Sequence, residues 1–336
     1  MNARFLIGAL ALVVATLLLW ELRWVLLILF GAVVLAVALD VPITWLRRLF
    51  PLSRPAAMGV VLAVVLGLGG LLSSLLLPEV IEQFQLLQRI IPALPAQING
   101  LIRQVPALQS LEEQLLSQAS LERVQPIGEQ LLGFAGGAAN GTLQLLLMAL
   151  LAVLLAMDPR SHQHLLTAFT PSFYRPRAQL LMRESREALG GWLAGMTLSA
   201  LIVFLTTWAG LALLRVPLAL LSALVCGLLT FVPTIGPTLG TLLPMGVALL
   251  LVSPGKMGEV LILRLLLQNL EAFLLTPLLL SRTVNLLPTV ALVSQLSLGV
   301  LLGLPGVLLA LPLVVVLQVL GREMLVRDVM DRWDAG

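Results

Sequence analysis

Five stretches of this chain run for 24 to 40 residues without one charged side chain: Pro55–Pro78, Gln130–Met157, Ala188–Leu214, Val216–Gly255 and Thr283–Gly321. A helix needs about 20 predominantly apolar residues to cross the hydrocarbon core of a bilayer. The first three runs each read as one span. The last two hold about 40 residues each and are interrupted in the middle by Pro and Gly. Only 11% of the 336 residues are charged, where soluble domains carry about 25%, and the mean hydropathy is +1.05. The chain therefore reads as an integral membrane protein. The expected fold is all-α: a polytopic bundle of about eight membrane segments, two of them broken or re-entrant, with an amphipathic helical segment outside the membrane.

Three regions follow. Residues 1–78 form an N-terminal hairpin and a third span, 79–130 the amphipathic segment, and 131–336 a C-terminal bundle with the broken helices. In the first region, Phe5–Trp20 and Trp24–Leu39 flank Glu21-Leu22-Arg23. They predict a tight helical hairpin with Trp20 and Trp24 at the interface, where indole rings concentrate. A signal peptide is the rival reading for residues 1–20, but no small-x-small site follows Trp20 and the sequence turns apolar again at once. In the second region, Ile81, Phe84, Leu87, Ile91, Leu94 and Ile98 recur at helical spacing, and Pro92, Pro95 and Pro106 should divide the helix. Its apolar face can lie on the membrane, pack on a partner subunit or pack on its own bundle.

Basic residues collect on the cytoplasmic side of membrane proteins. Arg47, Arg48 and Arg54 against Asp40, and five Arg against three acids in 158–187, place both segments there. The 79–129 segment, with three Arg and six Glu, falls outside. The predicted location is a bacterial inner membrane with both termini cytoplasmic.

Polar groups inside apolar runs are the strongest functional signals. A charge at the bilayer centre costs about 2.5–3.5 kcal/mol on insertion scales, so it normally faces a partner or a cavity. The apolar segment 258–280 carries Arg264, Gln268, Asn269 and Glu271. Positions 264, 268 and 271 share one helix face, which predicts a polar stripe toward the bundle interior. It can serve transport, or hold helix register as a structural ion pair. The broken runs carry Pro233, Thr234, Gly236 and Pro237 in one case and Gly303, Pro305 and Gly306 in the other. Breaks at membrane depth are tolerated where they line protein or a wet cavity, and paired breaks point to a transport site. Gly191, Gly195 and Ser199, and Gly236 with Gly240, are spaced for close helix packing.

Other chemistries find little support. His162 and His164 lie two apart and diverge on a helix, so no metal site is expected. No nucleotide loop or nucleophile motif is present, and no cofactor or enzymatic activity is predicted. The 20 basic residues are scattered, which speaks against nucleic acid.

Taken in order, Pro233-Thr234-Ile235-Gly236-Pro237, Gln268-Asn269-Leu270-Glu271, Thr276-Pro277, Arg282-Thr283-Val284-Asn285 with Pro288, Gly303-Leu304-Pro305-Gly306 and Ala310-Leu311-Pro312 resemble the AI-2E (autoinducer-2 exporter-like, PerM) family over essentially the whole chain. The resemblance implies a multi-span inner-membrane transporter of about eight helices. Some members are associated with export of a furanone signal and others with sodium/proton exchange. The function expected is secondary transport of a small polar solute or monovalent cation by alternating access, with Arg264, Gln268, Asn269 and Glu271 as gating candidates. A non-transporting membrane scaffold and a passive channel are the alternatives. The expected partners are the lipid bilayer and the transported species, with a homo-oligomer left open.

Overall fold

The computed structural model describes residues 10, 13, 14, 16–90, 138–232, 235–271, 273 and 287–324. Pro233, Thr234, Thr276-Pro277, Arg282–Asn285 and the amphipathic segment beyond residue 90 lie outside the described residues. Every regular element among the described residues is helical. In chain order these are α1 (Arg23–Leu49), α2 (Arg54–Ile90), α3 (Ala138–Met157), α4 (Pro159–Ala168), α5 (Arg175–Leu213), α6 (Ala219–Leu229), α7 (Ile235–Leu251), α8 (Pro254–Leu270) and α9 (Pro288–Leu320), with a single 3₁₀ turn at Ser172–Tyr174. Four helices are long and apolar enough to cross a membrane, or five when α3 and α4 are taken as one bent span.

Packing divides the chain into two compact units. Unit 1 comprises Met1–Val61, Gln144–Ala194 and Val284–Gly336, and unit 2 comprises Leu62–Leu143 and Gly195–Thr283. Helices α2 and α5 contribute residues to both. With 39 residues, α5 measures about 58 Å, roughly twice the thickness of a bilayer core. Its charged first turns, Arg175–Glu187, therefore extend beyond the apolar length that begins at Ala188.

Local chemistry sets several boundaries. Arg47 and Arg48 sit in the last turn of α1, where cations favour the exposed carbonyls. The chain then turns extended at Phe50, as a residue before proline prefers. Ser253 caps α8 by accepting from the Lys256 amide at 3.2 Å, with Pro254 in the first turn. Asp158 does the same for α4, accepting from the Ser161 amide at 3.2 Å and its hydroxyl at 2.5 Å. The axis of α4 lies 89° from that of α3, so α4 runs along the membrane plane when α3 crosses it.

The Ser161 bonds hold the Asp158 carboxyl below its ordinary 3.8. A depressed carboxyl stabilises the fold above its unfolded value and loses that contribution as pH falls through the folded value. Asp158→Ala is expected to speed amide exchange in the first turn of α4 at neutral pH. The gap to wild type should close in strong acid. Equal exchange at neutral pH would remove the cap from the account of this bend.

The N-terminal hairpin expected at Glu21–Arg23 is not formed. Residues 16–21 are helical, Leu22 alone departs with φ −83 and ψ 2, and α1 begins at the next residue. Helical bonds from the Leu22 amide to the Leu18 carbonyl and from the Leu26 amide to the Leu22 carbonyl, both 2.9 Å, bracket it. A reversal between helices takes about 2–5 loop residues, and here there is one. The charge of Arg23 is accommodated within the helix, against the Trp20 carbonyl at 2.8 Å and over the Trp20 ring at 4.4 Å.

Both interrupted runs are helical hairpins. In unit 2, α6 has 11 residues and α7 has 17, lengths of about 16 and 25 Å. The first is far short of a span, so Val216–Gly255 is not a pair of thin crossings. The two arms touch through glycine: a β-carbon on Gly240 would stand 3.3 Å from Cys226 Sγ, and one on Gly236 would fall onto the Leu229 backbone carbonyl. In unit 1, α9 has 33 residues but breaks at Gly303, where φ 64 and ψ −151 are not helical. Beyond the break, a β-carbon on Gly306 would land on the Leu298 carbonyl. Residues eight apart in a straight helix are about 12 Å apart, so α9 folds back on itself. The break in α9 falls at Gly303, within its Pro/Gly cluster.

Candidate functional site

Arg264 of α8 and Glu271, the residue that caps its end, lie along one seam of unit 2. Arg264 is 3% exposed, and three oxygens accept from it. Its Nε donates to Thr241 Oγ1 of α7 at 3.2 Å, one Nη to Thr207 Oγ1 of α5 at 3.2 Å, and the other to the Pro237 carbonyl at 3.4 Å. All of these acceptors are neutral. Two turns along α8, half-buried Glu271 accepts from Ser199 Oγ of α5 at 3.4 Å. Ser199 and Thr207 are eight apart on α5, Glu271 and Arg264 seven apart on α8, and the pairing is antiparallel. Each charge on one helix therefore meets a hydroxyl on the other.

Packing explains the approach. Gly210 on α5 leaves room that Leu263 of α8 fills, since a β-carbon there would stand 2.8 Å from both Leu263 methyls. One turn toward the start of α8, Val260 joins Leu211, Val216, Leu218, Val247 and Ala248 in an apolar cluster. This cluster closes the seam on the side of Arg264 away from Glu271.

The other predicted stripe residues are placed differently. Gln268 is exposed, and Asn269 is exposed and donates to the Leu265 carbonyl of its own helix at 2.7 Å. The seam thus brings together Arg264, Glu271 and Pro237, with Gly236 at the hairpin turn next to Pro237. It does not include Gln268 or Asn269. Gly303, Pro305 and Gly306 belong to the hairpin of unit 1. Thr207 and Thr241 were not anticipated. Their signal in the sequence is weak, because single hydroxyls are common in apolar helices; spacing relative to Arg264 becomes informative only once the helices are paired. Both hairpins also bury polar atoms without a hydrogen-bond partner among the described residues: Ser222 Oγ on α6, and both amide atoms of Gln295, 2% exposed, on α9. Orphaned buried groups of this kind call for a role.

Unit 1 holds an ion cluster that charge counting had spread over two loops. Asp40, 7% exposed, accepts from Arg54 Nη2 at 2.5 Å, from Arg186 Nη2 and from Thr44 Oγ1 at 3.3 Å. Arg54 also donates twice to the Ala156 carbonyl, at 2.8 and 3.1 Å, near the end of α3. Arg177 Nη2 donates to Glu323 Oε2 at 3.0 Å and to its carbonyl at 3.2 Å. One carboxylate joins α1, the start of α2, the end of α3 and α5.

The chain matches the family model described as AI-2E family transporter over residues 9–325. It belongs to the AI-2E transporter family. Among similar proteins, "Putative transport protein YueF" of Bacillus subtilis is 25% identical over 61% of this chain and 56% of its own length. "Putative transport protein YrrI" of the same organism is 28% identical over 45% of this chain and 42% of its own. "Putative permease PerM" of Escherichia coli is 27% identical over 85% of this chain and 84% of its own. The chain thus spans about half the length of the two Bacillus relatives. Family membership and the several apolar helices agree on a multi-pass membrane protein.

Proposed function

We propose that the chain is a secondary transporter of a small polar solute or monovalent cation, working by alternating access, with Arg264 and Glu271 as its charged determinants. The observation that carries this reading is the α5–α8 seam. A guanidinium buried among apolar helices is held in place by neutral acceptors, and no carboxylate among the described residues hydrogen-bonds to it. Such a group can pair with a solute anion or set the charge state of Glu271 across the seam. The family supports transport in general; the two glycine hairpins, each with buried polar atoms lacking partners, supply the broken-helix geometry that transport sites use.

The Arg-rich ends support the sidedness of the reading. Arg54 and Arg186 meet on Asp40, so 40–54 and 158–187 share one side of unit 1, as expected for cytoplasmic segments. We place the protein in a bacterial inner membrane in that orientation.

The test is flux in liposomes that carry an internal pH-sensitive dye, under sodium or lithium gradients and with a panel of organic anions outside. Glu271→Gln is expected to abolish cation-linked pH change, and Arg264→Gln to abolish all flux. Arg264→Lys should cut flux at least about tenfold, because an ammonium cannot reproduce the planar fork that serves Thr241, Thr207 and Pro237. Wild-type flux in well-inserted Arg264→Gln protein would sink the reading and leave the seam a register device.

A further inference from the structure

Unit 1 contains a composite site that the α8 seam does not use. Where α4 bends away from α3, a cavity of about 530 Å³ is walled largely by apolar side chains, among them Phe30, Leu155, Leu166, Leu181 and Val316. A second cavity of about 360 Å³ is lined by Arg160, Gln163, His164, Gln179, Arg183 and Arg186, with no carboxylate in the lining. Gln163 and Arg186 border both. The spacing of α4 explains the division: positions 160 and 164 form one edge and 162 and 166 another, each pair one turn apart.

The charges favour an anion. Arg186 gives one nitrogen to Asp40, a carboxylate it shares with Arg54, and Arg183 gives Nε to exposed Glu187 at 2.9 Å. Arg160 has no ion-pair partner among the described residues. Glu184 and Asp158 also stand beside Arg183 and Arg160, but in the lining of the basin itself there are three guanidiniums and no carboxylate. In the apolar chamber, Ser185 Oγ is buried without a partner among the described residues.

We propose that this pair of cavities holds one anionic phospholipid of the surrounding membrane, its acyl chain in the apolar chamber and its phosphate against Arg160 and Arg183. A soluble anion would use the basic basin alone and leave the adjoining chamber without a role. The right-angle bend at Asp158 puts the basin where headgroups lie and the chamber where chains lie. Basic side chains at that level attract anionic lipid.

The test is native mass spectrometry of the delipidated full chain in detergent, titrated with phosphatidylglycerol, with phosphatidylcholine of the same acyl chains, and with inorganic phosphate. Phosphatidylglycerol should be retained and phosphatidylcholine not. The double variant Arg160→Gln/Arg183→Gln should weaken phosphatidylglycerol binding about tenfold. Ala178→Trp, which fills the chamber, should weaken it comparably; if that variant does not fold, six-carbon phosphatidylglycerol binding the wild type more weakly than the long-chain lipid makes the same point. Equal retention of phosphatidylcholine, unchanged binding by the arginine variant, indifference to chain length, or full competition by inorganic phosphate would each overturn the proposal.

Discussion

Asp40→Asn is expected to lower the unfolding free energy of the detergent-solubilised protein by about 2 kcal/mol. The asparagine keeps the shape of the side chain but leaves Arg54 and Arg186 without their shared carboxylate. Breaking a fully buried pair from one side typically costs about 3–5 kcal/mol. The figure here is lower because the Arg186 side chain is 39% exposed, and water can take over part of its solvation. Arg54 also keeps the Ala156 carbonyl. A double-mutant cycle sharpens the test: Asp40→Asn with Arg186→Gln should cost less than the two single changes summed, since the second removes a cation that the first had stranded. Additive costs, or an unfolding midpoint in Asp40→Asn equal to wild type, would show that the cluster does not hold α1 to α5.

Gly306→Ala is expected to do comparable damage by a different route. The new methyl meets the Leu298 backbone carbonyl and the Leu302 side chain. A carbonyl within a helix cannot rotate away as a flexible side chain can, so the fold-back of α9 must open. Inserting a methyl group into tight packing costs about 1–3 kcal/mol, and a backbone contact falls at the upper end. Gly303→Ala should add to this through its φ of 64 and ψ of −151, a region populated almost solely by glycine and worth about 1–3 kcal/mol in strain. Gly258→Ala is the control, because nothing stands within 4 Å of its added carbon. Thermal midpoints in detergent should fall for the first two and hold or rise for the third. A Gly306→Ala protein as stable as the control would refute the hairpin.

What the sequence disclosed depended on how local the signal was. Gly303-Leu304-Pro305-Gly306 announces a break because glycine and proline act on their own backbone, and the structure breaks there. Arg264 stands out against apolar neighbours, and its burial follows from the cost of leaving it in lipid. Its partners Thr207 and Thr241 were invisible, because they lie on other helices and a hydroxyl can satisfy itself on its own helix. Asp40 was counted as a loop charge, since the residue that explains its burial, Arg186, is 146 positions away. The Glu21–Arg23 triplet misled in the opposite direction. Charges usually end a span, but Arg23 folds back onto Trp20 and the helix continues. Gln268 and Asn269 share the turn between Arg264 and Glu271 yet are exposed, which helix spacing alone does not distinguish when the neighbouring helices are unknown.

If ions cross the α5–α8 seam as proposed, the charge that Arg264 keeps among its neutral acceptors would filter them. A fixed positive charge repels a monovalent cation 5 Å away by about 3 kcal/mol at an effective dielectric constant of 20. An energy of that size would deplete a monovalent cation there by roughly a hundredfold. On that reading a cation using the seam would bind at the Glu271 end and leave without passing the guanidinium, while an anion would meet no such barrier. The order of charges along α8 would then decide which species crosses and which only visits.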